Sequence, residues 1–281
     1  MVVPFRGDDR AAARLAGSLS ALALAPGDEL IVADNSDHQA ARFLFRPGGC
    51  SERQRVLRAA GERSSYHARN TGAREATGEW IVFTDADCVP DTGLIDAYFD
   101  PMPGPDVGAL AGTVITDPGQ NHFLARYASD RGFLDQDVGL HTAGDAAATA
   151  NLAVRRDAFE ELGGFTEGIR SGGDVDFCRR LAAAGYEIER RPAARVVHLH
   201  RESLPDLMGS IARYAAGARW LDGRYPGTAP AWPLVRGLAH CARDIAADLA
   251  RLRFERAAFR GVDALGMFAH TIGYRQSNAA G

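Results

Sequence analysis

Lysine is absent from this sequence, in which all 32 basic residues are arginine. Ordinary P-loop NTPases, Schiff-base enzymes and pyridoxal-phosphate enzymes each require a lysine amine, so the sequence excludes these three classes. The 36 acidic residues give a net charge of −4, and a chain with this charge has no bulk attraction for nucleic acid. We therefore expect no nucleic-acid partner.

Cysteine is scarce, and Cys50, Cys88, Cys178 and Cys241 form no CxxC pair. Neither a zinc knuckle nor a disulfide framework is indicated, and isolated cysteines are typical of buried apolar positions in a reducing compartment. No uncharged apolar run approaches the roughly 20 residues that a membrane-spanning helix needs. The first residues, MVVPFRGDD, carry acids and do not resemble a secretory signal. We expect a cytoplasmic protein, or one bound peripherally at the inner face of the membrane.

Strand and helix patterns alternate through the first 200 residues or so. Apolar runs predict strands near residues 2–5, 30–33, 80–83 and 107–114. Helical patterns between them lie near residues 8–22, 67–77 and 94–99. Residues 36–65 are mixed, with a Pro-Gly-Gly turn predicted at 47–49. This alternation indicates an α/β fold with a mainly parallel sheet flanked by helices.

Beyond residue 202 the pattern is helical throughout. Residues 201–281 contain 11 arginines and 7 acids, whereas residues 1–200 contain 21 arginines and 29 acids. Apolar side chains spaced by three or four form one stripe, which consists of Leu234, Leu238, Cys241, Ile245, Leu249 and Leu252. We expect a helical extension over residues 203–281 whose stripe contacts the body, a second subunit in a homodimer, or an anionic membrane.

Polar residues follow three predicted strands at the point where each strand ends. Arg6 follows the first strand, Asp34 the second, and Asp85 and Asp87 the strand near 80–83. Ligands bind at the carboxyl ends of strands in α/β sheets, so these side chains are expected to share one crevice. Two carboxylates one residue apart suit a divalent cation, Mg²⁺ or Mn²⁺, shared with a diphosphate. Taken singly, each residue is also typical of a cap or turn.

The segment ARNTGAREATGEWIVFTDADCVPD resembles the signature of family 2 glycosyltransferases, nucleotide-sugar enzymes of the GT-A fold. Four more blocks match that family in the same order, namely VVPFRGD, ELIVADNSD, NLAVRRDAFEELGGFTE and DVDFCRRLAAAGYEI. The resemblance covers roughly residues 1–205. It implies a Rossmann-like GT-A domain over residues 1–202, with a nucleotide-sugar half at about 1–115 and an acceptor half at about 116–202.

The resemblance also implies the residues of the donor site. Pro4 and Arg6 would line the nucleotide pocket, and Asp34 would read the base. Arg69 would lie near the donor diphosphate, where a guanidinium offsets the negative charge of the leaving group. A solvated position on a helix is the alternative for Arg69.

A metal site follows from the same resemblance. Asp85 would face the ribose or the metal, and Asp87 would bind the metal. His198 and His200 are separated by one residue on a predicted strand, and we expect at most one of them to face the cleft. The family pattern favours His198 as a metal ligand, although a lone histidine is more often a packing residue.

The family usually has Glu-Asp at the start of a later helix, and its Asp is the general base. Here Gly173 stands in place of the Glu, and Asp174 keeps the position of the base. We expect Asp174 to be catalytic, with helix capping as the alternative, and Asp176 to be structural. Because Gly173 removes a carboxylate near the acceptor, the acceptor class stays open. Asn151 is expected in the wall on the acceptor side.

The predicted function is metal-dependent, inverting transfer of a sugar from a nucleoside-diphosphate sugar to an acceptor hydroxyl. A non-catalytic nucleotide-sugar-binding relative is one alternative. A nucleotidyltransferase is another, but it relies on a Gly-rich N-terminal loop and a lysine, and the chain lacks both. An oxidoreductase is disfavoured because no GxGxxG opens a helix after the first strand. The donor sugar, its base and the acceptor are left open.

Overall fold

Eight strands form one mixed sheet in the part of the chain that the computed structural model describes, residues 1–44, 53–133, 146–228 and 232–281. The strands are β1 (Val2–Phe5), β2 (Leu30–Asp34), β3 (Gln54–Arg58), β4 (Trp80–Thr84), β5 (Cys88–Pro90), β6 (Val107–Thr116), β7 (Asn151–Arg155) and β8 (Glu187–His198). Their order across the sheet is β3-β2-β1-β4-β7-β6-β8-β5.

The two halves of the sheet differ in strand direction. Strands β3, β2, β1 and β4 are parallel to one another, and β6 is parallel to β8. Strand β7 is antiparallel to both β4 and β6, and β5 is antiparallel to β8. The predicted α/β sheet is confirmed, with its parallel character strongest in the N-terminal half. The carboxyl ends of β1, β2 and β4 therefore meet at one edge.

Helices pack on both faces of the sheet. Before the C-terminal region they are α1 (Asp9–Leu19), α2 (Ser65–Arg74), α3 (Leu94–Tyr98), α4 (Phe123–Asp130), α5 (Arg156–Glu161) and α6 (Gly173–Ala183), with a 3₁₀ turn at Ala40–Phe43. Val3 packs in one core with Leu15 of α1 and Tyr98 of α3, and Val2 packs in the other with Phe177 of α6. Successive side chains of a strand point to opposite faces, which places Val2 and Val3 in different cores.

The predicted C-terminal helices are present as α7 (Leu204–Arg224), α8 (Leu234–Ala250) and α9 (Phe254–Gly273). Helix α9 contacts both α7 and α8. Leu207, Phe259 and Val262 of the extension share a small core with Leu124 and Tyr127 of α4. The extension is thus packed on the body through α7 and α9. Within the described residues, no helix combines the length and apolar character needed to cross a bilayer.

The predicted apolar stripe of the extension is only partly covered. Cys241 is buried, but Leu249 and Leu252 are 45% and 75% exposed. Helix α8 ends at Ala250, so Leu252 lies in the turn before α9. The last two members of the stripe are therefore only partly covered by the described part of the chain.

Residues after α9 return to the loop that precedes α6. The Asn278 side-chain amide donates to the Ser171 carbonyl at 2.9 Å, and the Arg170 N–H donates to the Asn278 carbonyl at 2.9 Å. The Ala280 N–H donates to the Gly168 carbonyl, also at 2.9 Å. These bonds fix the loop that leads into Gly173 and Asp174.

The predicted burial of the isolated cysteines is confirmed for Cys88, Cys178 and Cys241, which are free thiols. Burial raises the pKa of each of these three thiols, so they stay protonated and behave as small apolar side chains. Cys50 and the turn predicted at 47–49 lie outside the described residues.

Candidate active site

The register between β5 and β8 brings Asp87 next to His198. Cys88 at the start of β5 pairs with His198 at the end of β8, and the Leu199 N–H donates to the Asp87 carbonyl at 3.0 Å. As a result, His198 Nε2 lies 3.6 Å from Asp87 Oδ2. The two residues predicted to hold a metal are therefore neighbours.

The Asp87 carboxylate is also approached by a cationic side chain. Arg201 Nη2 lies 3.2 Å from Asp87 Oδ2. Burial alone raises the pKa of Asp87, but the hydrogen bond from His198 and the charge of Arg201 outweigh it and lower that pKa below its usual value. Asp87 is therefore ionised at neutral pH, as a cation ligand must be.

Arg69 holds Asp85 at the carboxyl end of β4. The Arg69 guanidinium forms an ion pair with Asp85 Oδ1, and its side chain is only 4% exposed, against 32% for Asp85. This burial rules out the solvated position considered for Arg69. Arg69 Nε is buried and has no hydrogen-bond partner among the described residues. A guanidinium with a donor to spare at the edge of a cleft suits an anion such as a diphosphate.

Tyr66 links Arg69 to the residue predicted as the base. Tyr66 lies one turn before Arg69 on α2, and its ring centroid is 5.5 Å from Arg69 Cζ. Its hydroxyl donates to Asp174 Oδ1 at 3.3 Å. The side chains of Asp85, Arg69, Tyr66 and Asp174 thus form a continuous chain of contacts between β4 and α6.

Asp174 lies in the first turn of α6, after a glycine that the backbone requires. Gly172 has φ +87°, in the left-handed region that side chains other than glycine rarely adopt. Burial raises the pKa of Asp174 above its usual value, although the nearby Arg69 charge acts in the opposite direction. The dipole at the start of α6 favours the ionised carboxylate, but burial has the larger effect on the pKa of Asp174. A carboxylate with a raised pKa is a stronger base.

Asp176 is structural, as predicted. Its side chain is fully buried and accepts hydrogen bonds from the hydroxyls of Thr166 and Tyr225, both at 2.8 Å. Arg180 and Arg224 form ion pairs with it at 3.0 Å and 2.7 Å. The carboxylate is saturated by partners within the fold.

The residues predicted to contact the nucleotide lie at the same sheet edge as Asp85. Pro4 is buried within β1, and Arg6 is exposed just beyond that strand. The register between β1 and β2 places Asp34 opposite the end of β1. The sheet therefore brings Pro4, Arg6 and Asp34 to one edge, as parallel strands do.

Asp34 is bound by the turn that follows β2. Its Oδ1 accepts from the Ser36 N–H and its Oδ2 from the Ala41 N–H, both at 2.8 Å. The side chain is only 1% exposed. In the described fold Asp34 thus fixes the loop that follows β2.

A family profile described as "Glycosyltransferase like family 2" matches residues 1–222 of the chain. That span contains every residue of the site described above. The chain belongs to this family. This membership confirms the family expected from the sequence, and the solved structures described below confirm the expected GT-A architecture.

Two curated relatives of this family 2 chain are named glycosyltransferases. The pre-mycofactocin glycosyltransferase of Mycobacterium tuberculosis is 30% identical over 275 residues, which cover 92% of this chain and 57% of the relative. Glycosyltransferase AglE of Haloferax volcanii is 29% identical over 163 residues, covering 57% of this chain and 53% of the relative. The chain thus spans little more than half the length of these relatives.

Two solved structures share the fold. The mannosyltransferase PcManGT of Pyrobaculum calidifontis, in complex with GDP-Man and Mn²⁺, has a TM-score of 0.61 at 20% identity, over 97% of this chain and 85% of its own. Glucosyl-3-phosphoglycerate synthase of Mycobacterium tuberculosis, in complex with Mn²⁺, UDP and glucosyl-3-phosphoglycerate, has a TM-score of 0.54 at 16% identity. The match covers 79% of this chain and 78% of the synthase. At these identities the likeness establishes the fold alone.

The side chains of this family 2 site suit a cation that is shared with a substrate. Among the described residues, no three His, Cys, Asp or Glu side chains group closely enough to hold a metal by themselves. Mg²⁺ sites in phosphate-transferring enzymes commonly use one or two carboxylates, with substrate phosphates completing the shell, and imidazole is a further ligand for transition metals. Asp87 Oδ2 and His198 Nε2, which face each other at 3.6 Å, fit this pattern.

Residues two positions apart in a strand point to the same face, so His198 and His200 lie side by side, against the expectation that at most one of them faces the cleft. Strand β8 ends at His198, and the two rings are 5.2 Å apart. His200 Nε2 lies 3.1 Å from Thr116 Oγ1, and burial lowers the pKa of His200 to about 4. A neutral His200 packs beside His198.

Asn151 does not line the acceptor wall. It is fully buried, and its amide donates to the Thr113 and Ala194 carbonyls, each at 2.9 Å. Its Oδ1 accepts from the Tyr98 hydroxyl at 2.6 Å. The residue ties β7 to its neighbours, because a buried amide needs all of its partners within the protein.

The sequence analysis missed two residues of the site, Tyr66 and Arg201. Tyr66 stands three residues before Arg69, a spacing that places both side chains on one face of a helix. This spacing could have identified Tyr66 as a neighbour of Arg69 from the sequence alone. Arg201 lies beyond β8, and no pattern in the sequence linked it to Asp87.

Proposed function

We propose that this chain transfers a sugar from a nucleoside-diphosphate sugar, held with Mn²⁺ or Mg²⁺, to an acceptor hydroxyl with inversion at the anomeric carbon. The observation that carries the proposal is the meeting of two carboxylates, a buried guanidinium and a separate base at one edge of the sheet. Asp85, Arg69 and Asp174 are joined there through Tyr66. Family membership and the donor complexes of the structural neighbours support the same donor class.

On the donor side, Pro4, Arg6 and Asp34 form the nucleotide pocket in this proposal. Arg69 contacts the diphosphate, whose negative charge grows as the bond to the sugar breaks. Asp85 orients Arg69 through their ion pair. Asp87 and His198 hold the cation, which supplies a second positive charge beside the leaving group.

On the acceptor side, Asp174 is the general base. The acceptor oxygen attacks the anomeric carbon from the face opposite the diphosphate and forms a new carbon–oxygen bond. The bond between that carbon and the phosphate oxygen breaks, and the hydroxyl proton passes to the Asp174 carboxylate. A single displacement of this kind inverts the anomeric configuration.

The same proposal divides the chain by function. Residues 1–202 are the catalytic domain, with a nucleotide-sugar half at about 1–115 and an acceptor half at about 116–202, and residues 203–281 are the helical extension. The end of β8 at His198 and the start of α7 at Leu204 support this division.

A panel of nucleotide sugars measured by thermal shift tests the donor class. With Mn²⁺, the cognate UDP-, GDP- or dTDP-sugar is expected to raise the Tm most, because a ligand at 100 times its Kd stabilises the native state by about 2.7 kcal/mol. Transfer or slow hydrolysis of that donor then separates an enzyme from a non-catalytic nucleotide-sugar-binding relative. A folded protein whose Tm responds to no nucleotide sugar, with or without Mn²⁺, would contradict the proposal.

For the extension, we infer contact with an anionic membrane through the turn between α8 and α9. Leu252 and Phe254 are 75% and 64% exposed there, and Arg251 and Arg253 beside them are exposed as well. Apolar side chains flanked by arginine suit the boundary between acyl chains and anionic headgroups, where each arginine contributes about 1 kcal/mol.

Co-sedimentation with lipid vesicles tests this inference. The protein is expected to bind vesicles that contain phosphatidylglycerol and not vesicles of phosphatidylcholine alone, and 0.5 M salt should release it. The double variant Arg251→Glu/Arg253→Glu should lose binding, whereas Arg10→Glu/Arg14→Glu on α1 should keep it. If wild type does not bind anionic vesicles at low salt, the exposed apolar residues do not serve a membrane.

A further inference from the structure

The glycine that departs from the family pattern is matched by a tyrosine from another helix. A Cβ atom placed on Gly173 would lie 2.8 Å from Cζ of Tyr66 and 2.9 Å from both of its Cε atoms. Side chains essentially never approach so closely, and the Tyr66 ring, only 5% exposed, is packed in the core. The ring therefore occupies the space into which any side chain at position 173 would begin to extend.

The Tyr66 hydroxyl reaches the start of α6. It donates to Asp174 Oδ1 at 3.3 Å. Gly172 at the N-cap has no side chain that could cap α6. The Tyr66 hydroxyl is thus a side-chain group from another helix that contacts the Asp174 carboxylate in the first turn of α6.

We propose that Tyr66 is a positioning residue for Asp174, and that Gly173 and Tyr66 form a matched pair in which the ring takes the place of the missing glutamate. This proposal rests on the proposed function of Asp174 as the general base. The Tyr66 hydroxyl orients the carboxylate toward the acceptor, and the ring couples it to Arg69 on the donor side. Position 173 must be glycine only while Tyr66 is present.

The environment of Tyr66 keeps it a neutral donor. Burial, reinforced by the Asp174 charge, raises its pKa far above the usual value, and the opposing effect of Arg69 is smaller. The charged groups that act on Asp174 are Arg69 and Asp85. At any working pH, therefore, Tyr66 can donate a proton in a hydrogen bond to Asp174 but cannot act as a base itself.

Tyr66→Phe tests the positioning role because it keeps the ring and removes the hydroxyl. We expect kcat to fall about 10- to 100-fold, as for a lost hydrogen bond to a charged group, with the donor KM unchanged. A donated hydrogen bond favours the ionised carboxylate, so its loss should raise the pKa of Asp174. The acidic limb of the pH–rate profile should then move to higher pH.

Tyr127→Phe is the matched control. The Tyr127 hydroxyl also donates to a carboxylate, that of Asp263, at 2.9 Å, but it lies in the contact between α4 and α9. Its kcat and pH profile should equal those of wild type. If Tyr66→Phe behaves like Tyr127→Phe while Asp174→Asn is inactive, the positioning role is wrong and the proposed function stands.

A double-mutant cycle tests the matched pair without any activity measurement. Gly173→Ala should lower the Tm clearly in wild type, because its methyl group meets the Tyr66 ring. In the Tyr66→Ala background the same substitution should have little effect on the Tm, so the Tm losses of the two single variants will not be additive. An equal loss of Tm in both backgrounds would overturn the pairing. A wild type that turns over no donor would remove the base role of Asp174, and the positioning role with it.

Discussion

Asp174→Asn is expected to lower the rate of sugar transfer by about 10²- to 10⁴-fold, the loss typical of removing a general base. Asparagine keeps the shape of the side chain, and its Oδ1 can still accept from the Val175 N–H and from the Tyr66 hydroxyl. It has no basic oxygen that can take the proton of the acceptor hydroxyl. Turnover measured with a saturating donor should therefore fall, while donor binding stays nearly unchanged.

The stability of Asp174→Asn provides an independent check on the environment of Asp174. Because burial raises the pKa of this carboxyl in the folded protein, its stabilising contribution is complete only below the unfolded pKa and is lost as pH rises through the folded pKa. At neutral pH the ionised Asp174 therefore opposes folding. We expect the Tm of Asp174→Asn at pH 7 to equal or exceed that of wild type.

The pH dependence of wild type follows from the same shift. The base works when deprotonated, so kcat/KM should fall as pH drops through the pKa of Asp174, at a higher pH than for an ordinary aspartate. Asp157→Asn, which alters an exposed carboxylate in the first turn of α5, serves as the control and should act like wild type. An Asp174→Asn variant with wild-type turnover, or a product of retained anomeric configuration, would remove Asp174 from the mechanism.

Asp87→Ala is expected to lower activity by about two to three orders of magnitude, as loss of one electrostatic stabiliser does. The variant removes the carboxylate that faces His198 and with it the principal protein ligand of the cation. The negative charge on the departing diphosphate then loses its counter-ion. Activity of wild type should rise with Mn²⁺ and vanish in EDTA, and activity of the variant should respond to neither.

Asp91→Ala is a suitable control for this substitution. Asp91 follows β5 directly and forms a partly exposed ion pair with Arg195 at 3.2 Å, so its loss should matter little. Donor-induced Tm shifts in Asp87→Ala should also lose their dependence on Mn²⁺. Activity that persists in wild type with EDTA, and in Asp87→Ala as well, would show that the metal role is wrong.

Local patterns in the sequence predicted β1, β2, β4 and β6 and the end of β8, but not β3, β5 or β7. Strands β1, β2 and β4 are buried almost throughout, so nearly all of their residues are apolar. A short, nearly continuous apolar run is what a strand covered on both faces shows in a sequence, and it identified these three strands. The antiparallel insertion of β7 was not recognisable, because strand direction depends on how the chain returns to the sheet and not on composition.

The site residues likewise divide into those that the sequence placed and those whose contacts only the structure shows. Asp85 and Asp87 follow a strand, and chain order alone placed them at the ligand-binding edge. The proximity of Asp87 to His198 needs the register between β5 and β8, and the contact between Tyr66 and Gly173 needs the packing of α2 on α6. The position of His200 was misjudged because residues two positions apart in a strand point to the same face, and the two rings accordingly lie side by side.

The sequence by itself determined the family, the α/β class and the helical extension, and it supplied the residues proposed to bind a donor. These features are encoded by neighbouring residues, whose periodicity and order persist whatever the rest of the chain does. Only the tertiary structure decided that Arg69 is buried against Asp85, that Asn151 is structural, and that Tyr66 fills the space above Gly173. Each of these depends on contacts between segments far apart in the chain, where burial and close packing, rather than local pattern, select which side chains meet.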